Sequence, residues 1–173
     1  MLAMPRSFDI STESPASVEQ IHAAFGREDY WLARLEPAGA TTTLDSLDVD
    51  DDGTVTACVT QHLGRQLLPG PVAKLIPGDL KIVHRETWKP VGDCHVRGQV
   101  RVAASPGLGS GDAEAWLEPS GNGSQMRFVL TVEVKIPLLG GKLEKSMGAG
   151  LIKNIPVLQE FTATWIAEHD DIG

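Results

Sequence analysis

In the segment LKIVHRETW, residues 80–88, Leu80, Ile82, His84, Glu86 and Trp88 alternate and so fall on one face of a strand. An imidazole and a carboxylate two residues apart on such a face are separated by roughly 6.6 Å of backbone, within reach of each other's side chains. Their neighbours on that face are apolar, so both ionisable groups are placed where water is scarce and each needs a partner. Four readings fit this pattern. The pair is a general acid/base dyad, a polar anchor for a mostly apolar ligand, or an internally satisfied network, or a bulge shifts the register and puts both in solvent. Gln61 poses the same question beside Val55, Ala57 and Val59, and Asn154 poses it within the apolar stripe of the last helical segment.

Other chemistry has weaker support. Cys58 lies on the strand face opposite Val59 with no activating base beside it, and no Ser/His/Asp or Cys/His pattern occurs. Cys58 and Cys94 form no CxxC motif, which argues for a reducing compartment and against a zinc site. The run DVDDDG, residues 48–53, matches the first half of a calcium-binding EF-hand loop, but its twelfth position is Val59 and strands flank it. It reads as an acidic hairpin turn. GLGSG, residues 107–111, opens no helix, and LLGGKLEKS has Leu143 where a phosphate loop needs Ser or Thr. No metal or cofactor is expected, and the chain reads as a binding protein before it reads as an enzyme.

These side chains need a scaffold. Arg6–Ser11 alternates as a first strand. SPASVEQIHAAFG reads as a short amphipathic helix capped by Ser14, with Pro15 at its first position and Gly26 at its end. A second short helix carries Trp31 and Leu35 and stops at Glu36, before Pro37. From about residue 40 to 137 the period changes to two, with turn signals at DDDG, PVGD and PSGNG, which gives six antiparallel strands in a meander. In the last of them Met126, Phe128, Leu130, Val132, Val134 and Ile136 share a face. A long helix from Gly141 to Glu168 closes the chain, with Leu143, Met147, Gly150, Leu151, Leu158, Phe161 and Trp165 on one side. The order predicts an α+β domain spanning 1–173, with helices on one face of an antiparallel sheet of about seven strands.

Within that helix, KSMGAGLIKNIP contains three helix-weakening residues, Gly148, Gly150 and Pro156. The wheel puts Gly150 on the stripe facing the sheet and Gly148 off it. Pro156 cannot donate to Ile152 and is expected to bend the helix near Asn154.

The element order and the junction VKIPLLGGKLEK, residues 134–145, resemble the START-like, helix-grip superfamily, which includes the birch-pollen allergen, polyketide cyclases and lipid-transfer domains. The nearest resemblance is to an uncharacterised actinobacterial branch. The resemblance implies a strongly curved sheet wrapped around the C-terminal helix, with an apolar cavity between them, and no single activity. A small hydrophobic or amphipathic ligand, such as a lipid or polyketide-like compound, is therefore expected between sheet and helix. The residues expected around it are Trp31, Gln61, Leu67, Ile82, His84, Glu86, Trp88, Val100, Phe128 and Leu130, with Met147, Gly150, Leu151, Asn154 and Leu158 from the helix. The alternative is a cyclase or hydratase working through His84 and Glu86.

The insertion GRQLLPGPVAKLIPGD, residues 64–79, brackets Leu67, Leu68, Val72, Leu75 and Ile76 with prolines and basic residues. It reads as packing on the sheet edge, as a lid, or as a contact for a protein partner or a membrane surface. A net charge of −8 without a basic stripe argues against nucleic acid. No window reaches the ~20 apolar residues of a transmembrane span, and the first ten residues lack a secretory pattern, so a cytoplasmic protein is expected.

Overall fold

A computed structural model describes residues 6–64, 66, 70–74, 78–105, 107–135 and 140–169, with backbone alone at 38–40, 71, 72, 105 and 146. The chain runs β1 (Arg6–Ser14), α1 (Val18–Phe25), α2 (Glu28–Leu35), a 3-10 segment (Glu36–Thr41), β2 (Thr42–Val49), β3 (Val55–Leu63) and a single helical turn, α3 (Gly70–Ala73). It continues through β4 (Leu80–Pro90), β5 (Val96–Ser105), β6 (Gly109–Ser120) and β7 (Gly123–Val134) into α4 (Gly140–Glu168). The strands form one curved antiparallel sheet in the order β1-β7-β6-β5-β4-β3-β2. The meander and the long terminal helix follow the sequence pattern.

Pairing carries the apolar alternation from strand to strand, because directly opposed residues share a face. Leu130 stands opposite Phe8 and Ala113, Val100 opposite Ala113 and Glu86, and Glu86 opposite Ala57. Trp88 lies over β5 at Gly98, where any Cβ would overlap its ring. On this side α4 rests on β1, β7 and α1, and α2 on β2.

Two local expectations are corrected. Ser17, not Ser14, caps α1: Ser17 Oγ accepts from Gln20 N (3.1 Å), and Gln20 Oε1 accepts from Ser17 N (2.9 Å). The Gln three residues after Ser17 completes a capping box that Ser14 lacks, and Ser14 Oγ accepts from Ala16 N instead. The second correction concerns the glycines of α4. Gly148 is the one packed against the sheet, with the Phe8 ring filling the space of its missing side chain, whereas a Cβ on Gly150 would meet nothing within 4 Å.

The physical reason is that the buried face of α4 is partly polar. Glu144, Gln159 and Thr162 are buried there with Gly148 and Ile166. Glu144 Oε2 accepts from the Val134 backbone (2.8 Å), Gln159 Nε2 donates to Met126 Sδ (2.9 Å), and Thr162 meets Tyr30. At 100° per residue this face is rotated about 90° from the stripe of Met147, Gly150, Leu151, Asn154 and Leu158.

Candidate functional site

β4 sets the centre of the site. Its pleat aims His84, Glu86 and Trp88 at the inner face, flanked by Val59, Ala57 and Val55 on β3 and by Val102, Val100 and Gly98 on β5. The Glu86 side chain, 4% exposed, accepts from three groups. Arg34 Nη2 donates to Oε2 at 2.9 Å, His84 Nε2 lies 2.7 Å from the same oxygen, and Trp88 Nε1 donates to Oε1 at 3.0 Å. Arg34 comes from α2, with its guanidinium 4.5 Å from the centre of the Trp31 ring.

The electrostatics follow from these partners. Burial by itself pushes the Glu86 carboxyl up, but the Arg34 charge, then the His84 and Trp88 bonds, override it and hold the group at about 2. Burial likewise works against the Arg34 charge, and the Glu86 carboxylate outweighs it. Glu86 is thus held as an acceptor, which removes it from proton transfer near neutral pH. Beside them, Thr162 Oγ1 donates to Leu158 O (3.0 Å), so the Tyr30 hydroxyl donates its proton to Thr162 (2.7 Å). Burial raises the Tyr30 hydroxyl above its ordinary value.

The inner face has two ends. At one, Phe25, Tyr30, Trp31, Trp88, Phe128, Phe161 and Trp165 pack ring against ring, with centroids 4.8–6.5 Å apart. Trp31, Trp88, Glu86 and Leu130 are buried in or beside this end, and Phe128 is half-buried. Toward the other end Gln61, Ile82, His84, Val100 and Val102 are half-exposed although they point inward.

The helix wall shows the same opening. Met147 is 50% exposed and Leu151 36%, Asn154 is exposed, and Gly150 and Leu158 are half-buried. These residues share a helix flank with Phe161 and Trp165, which touch Tyr30. The opposite flank, with Pro156, Glu160 and Ala163, borders a groove against Glu13–Pro15 beside β1. The exposed apolar flank is therefore the side of α4 turned away from that groove.

Leu67, and with it Leu68, Leu75 and Ile76 of the 64–79 insertion, lie outside the described residues, as does the Val72 side chain. Asp50–Gly53 forms the β2–β3 turn, with Asp52 Oδ1 accepting from Thr54 N and Gly53 at φ 86°. Among the described residues no three His, Cys, Asp or Glu side chains gather as a metal site, and no helix is long and apolar enough to cross a membrane.

Arg34 is the site residue that the sequence reading missed. Its signal was its spacing, three residues after Trp31 and four after Tyr30, which puts a cation on the same helix face as two buried aromatics.

Comparison with other proteins bears this fold out. A protein of Mycobacterium tuberculosis (strain ATCC 25618 / H37Rv) and one of Mycobacterium bovis, both named uncharacterized, are each 38% identical over 173 residues, covering 96% of this chain and 99% of theirs. Among solved structures, a Thermus thermophilus protein superposes with a TM-score of 0.55 at 16% identity (95% and 99% covered), and Ara h 8.0201 with 0.56 at 11% (95% and 99%). The Zhui aromatase/cyclase from Streptomyces sp. R1128 gives 0.58 at 8% (95% and 94%). Identities this low speak to the fold, which is the START-like, helix-grip one. The family model described as "Protein of unknown function (DUF2505)" matches residues 9–166.

Proposed function

The chain belongs to the DUF2505 family, and from that premise we propose that it acts as one domain that binds a small apolar or amphipathic molecule between the sheet and α4. One observation carries this reading: Ile82 and Val100 on the inner face of the sheet and Met147 and Leu151 on α4 are apolar side chains left partly exposed. Apolar surface kept open in a folded chain is favourable to cover, at roughly 25 cal/mol per Å². The buried Glu86 network supports the reading from below, because a rigid floor costs a ligand little reorganisation. A lipid or a polyketide-like compound has the required chemistry.

The test uses N-phenyl-1-naphthylamine, a neutral dye that brightens in apolar surroundings. The protein should bind it, and Val100→Asp and Leu151→Asp, one on each wall, should each weaken binding at least tenfold. Binding unchanged by both substitutions would move the site elsewhere or remove it.

A second reading rests on the 2.7 Å contact between His84 and Glu86. A carboxylate that orients an imidazole gives a general base, so a cyclase- or hydratase-type reaction would run on His84 with Glu86 as its positioning residue. His84→Ala should then abolish turnover of a bound compound while leaving its binding within a few-fold, and turnover surviving that change would end this reading.

A further inference from the structure

The His84–Glu86 contact constrains what the open cleft can receive. Glu86 is surrounded by donors, Arg34 and Trp88 beside His84, and as a carboxylate it can only accept. The contact at Nε2 therefore requires the proton on the imidazole, so neutral His84 is held as the Nε2–H tautomer with a bare lone pair on Nδ1. In a five-membered ring the two nitrogens point about 144° apart, so with Nε2 turned toward the closed end, Nδ1 points toward the open one. Among the described residues Nδ1 has no hydrogen-bond partner, and the His84 side chain is 33% exposed.

We infer that the cleft selects an apolar molecule carrying a hydroxyl, whose hydrogen bond is received by Nδ1 of His84. This rests on the ligand-binding reading above and narrows it. Opposite His84 stand Val59 on β3 and Val102 on β5, with Ile82 next on its face of β4, side chains that offer a ligand no hydrogen bond; the inward amide at this end is Gln61, opposite Ile82. A phenol or an alcohol completes the site. An ether or a carboxylate brings only acceptors against the lone pair and pays for desolvation without a return.

Three probes of one body test this by calorimetry at pH 8: 2-naphthol, 2-methoxynaphthalene and 2-naphthoate. The naphthol should bind about fivefold to tenfold more tightly than the other two. His84→Leu should retain binding of the naphthalene body and erase that preference. Independently of any variant, a long-range proton–nitrogen NMR spectrum of the wild-type protein should show Nδ1 unprotonated, with its resonance moving on addition of the naphthol. A protonated Nδ1 in neutral His84, or an ether bound as tightly as the naphthol, overturns the donor preference while leaving the cleft as a binding site. Failure of all three probes to bind would overturn the cleft reading itself, and this inference with it.

Discussion

Trp88 and Ile82 stand on the same face of β4, yet they face different surroundings. Around Trp88 the polar groups of Glu86, Tyr30 and Trp31 are each paired: Glu86 has three donors, Tyr30 has Thr162, and Trp31 Nε1 donates to the Phe25 carbonyl at 2.7 Å. Around Ile82 the inner face is half-exposed and mostly apolar, with Gln61 opposite it and His84 at the boundary. One alternating pattern thus builds a floor at one end and an opening at the other. The difference lies in what the helices bring. α2 and the last turns of α4 deliver aromatic rings and Arg34 to the closed end, while the middle of α4 delivers Gly150, Leu151 and Asn154, too little to close the rest.

If the closed end carries the stability, the two ends should respond differently to mutation. The largest effect is expected for Glu86→Ala, which strands the Arg34 charge in the interior and should cost about 3–5 kcal/mol in urea denaturation. Leu151→Ala, at the open end, should stay within about 0.5 kcal/mol of wild type. Equal losses at the two sites would erase the distinction.

Acid gives the next contrast. The Glu86 carboxyl is held at about 2 in the folded chain against an ordinary 4.5. Its contribution is therefore full above pH 4.5 and is lost as pH falls from there toward 2. Urea midpoints measured through that window should decline steeply in the wild type and less steeply in Glu86→Gln.

The glycines of α4 sharpen the comparison further. Gly148→Ala drives a methyl into Phe8 and should destabilise by about 1–3 kcal/mol. Gly150→Ala, which meets open space, should stabilise by up to about 1 kcal/mol through helix propensity. Thermal melts of the two variants, read side by side, give the sign at each position.

The seven strands and long helix were legible because a period of two, held over strands such as β7, leaves few alternatives. His84, Glu86 and Trp88 could be placed on one inner face for the same reason. Arg34 could not be placed, since its meeting with Glu86 depends on how α2 lies over β4, and residues 34 and 86 carry no shared pattern. The phase of α4 was misread because apolarity was taken to mark its contact face. That helix has a contact face packed through Gly148, Glu144 and Thr162 and a second, apolar flank that is exposed at Met147 and Leu151, and a hydrophobic wheel finds only the second.

The pairing of β1 with β7 bears on how the molecule is made. Arg6 lies opposite Val132, and Phe8 also holds Gly148 of α4, so the first strand completes none of its partnerships until nearly the whole chain exists. At roughly 5–20 residues per second, synthesis leaves β1 waiting on the order of 6–25 s for β7. Contacts this distant in sequence also slow folding. During that interval Phe8 and Ile10 are unpaired strand residues on a nascent chain, and the edge that later completes the sheet is the part most exposed to association with the wrong partner.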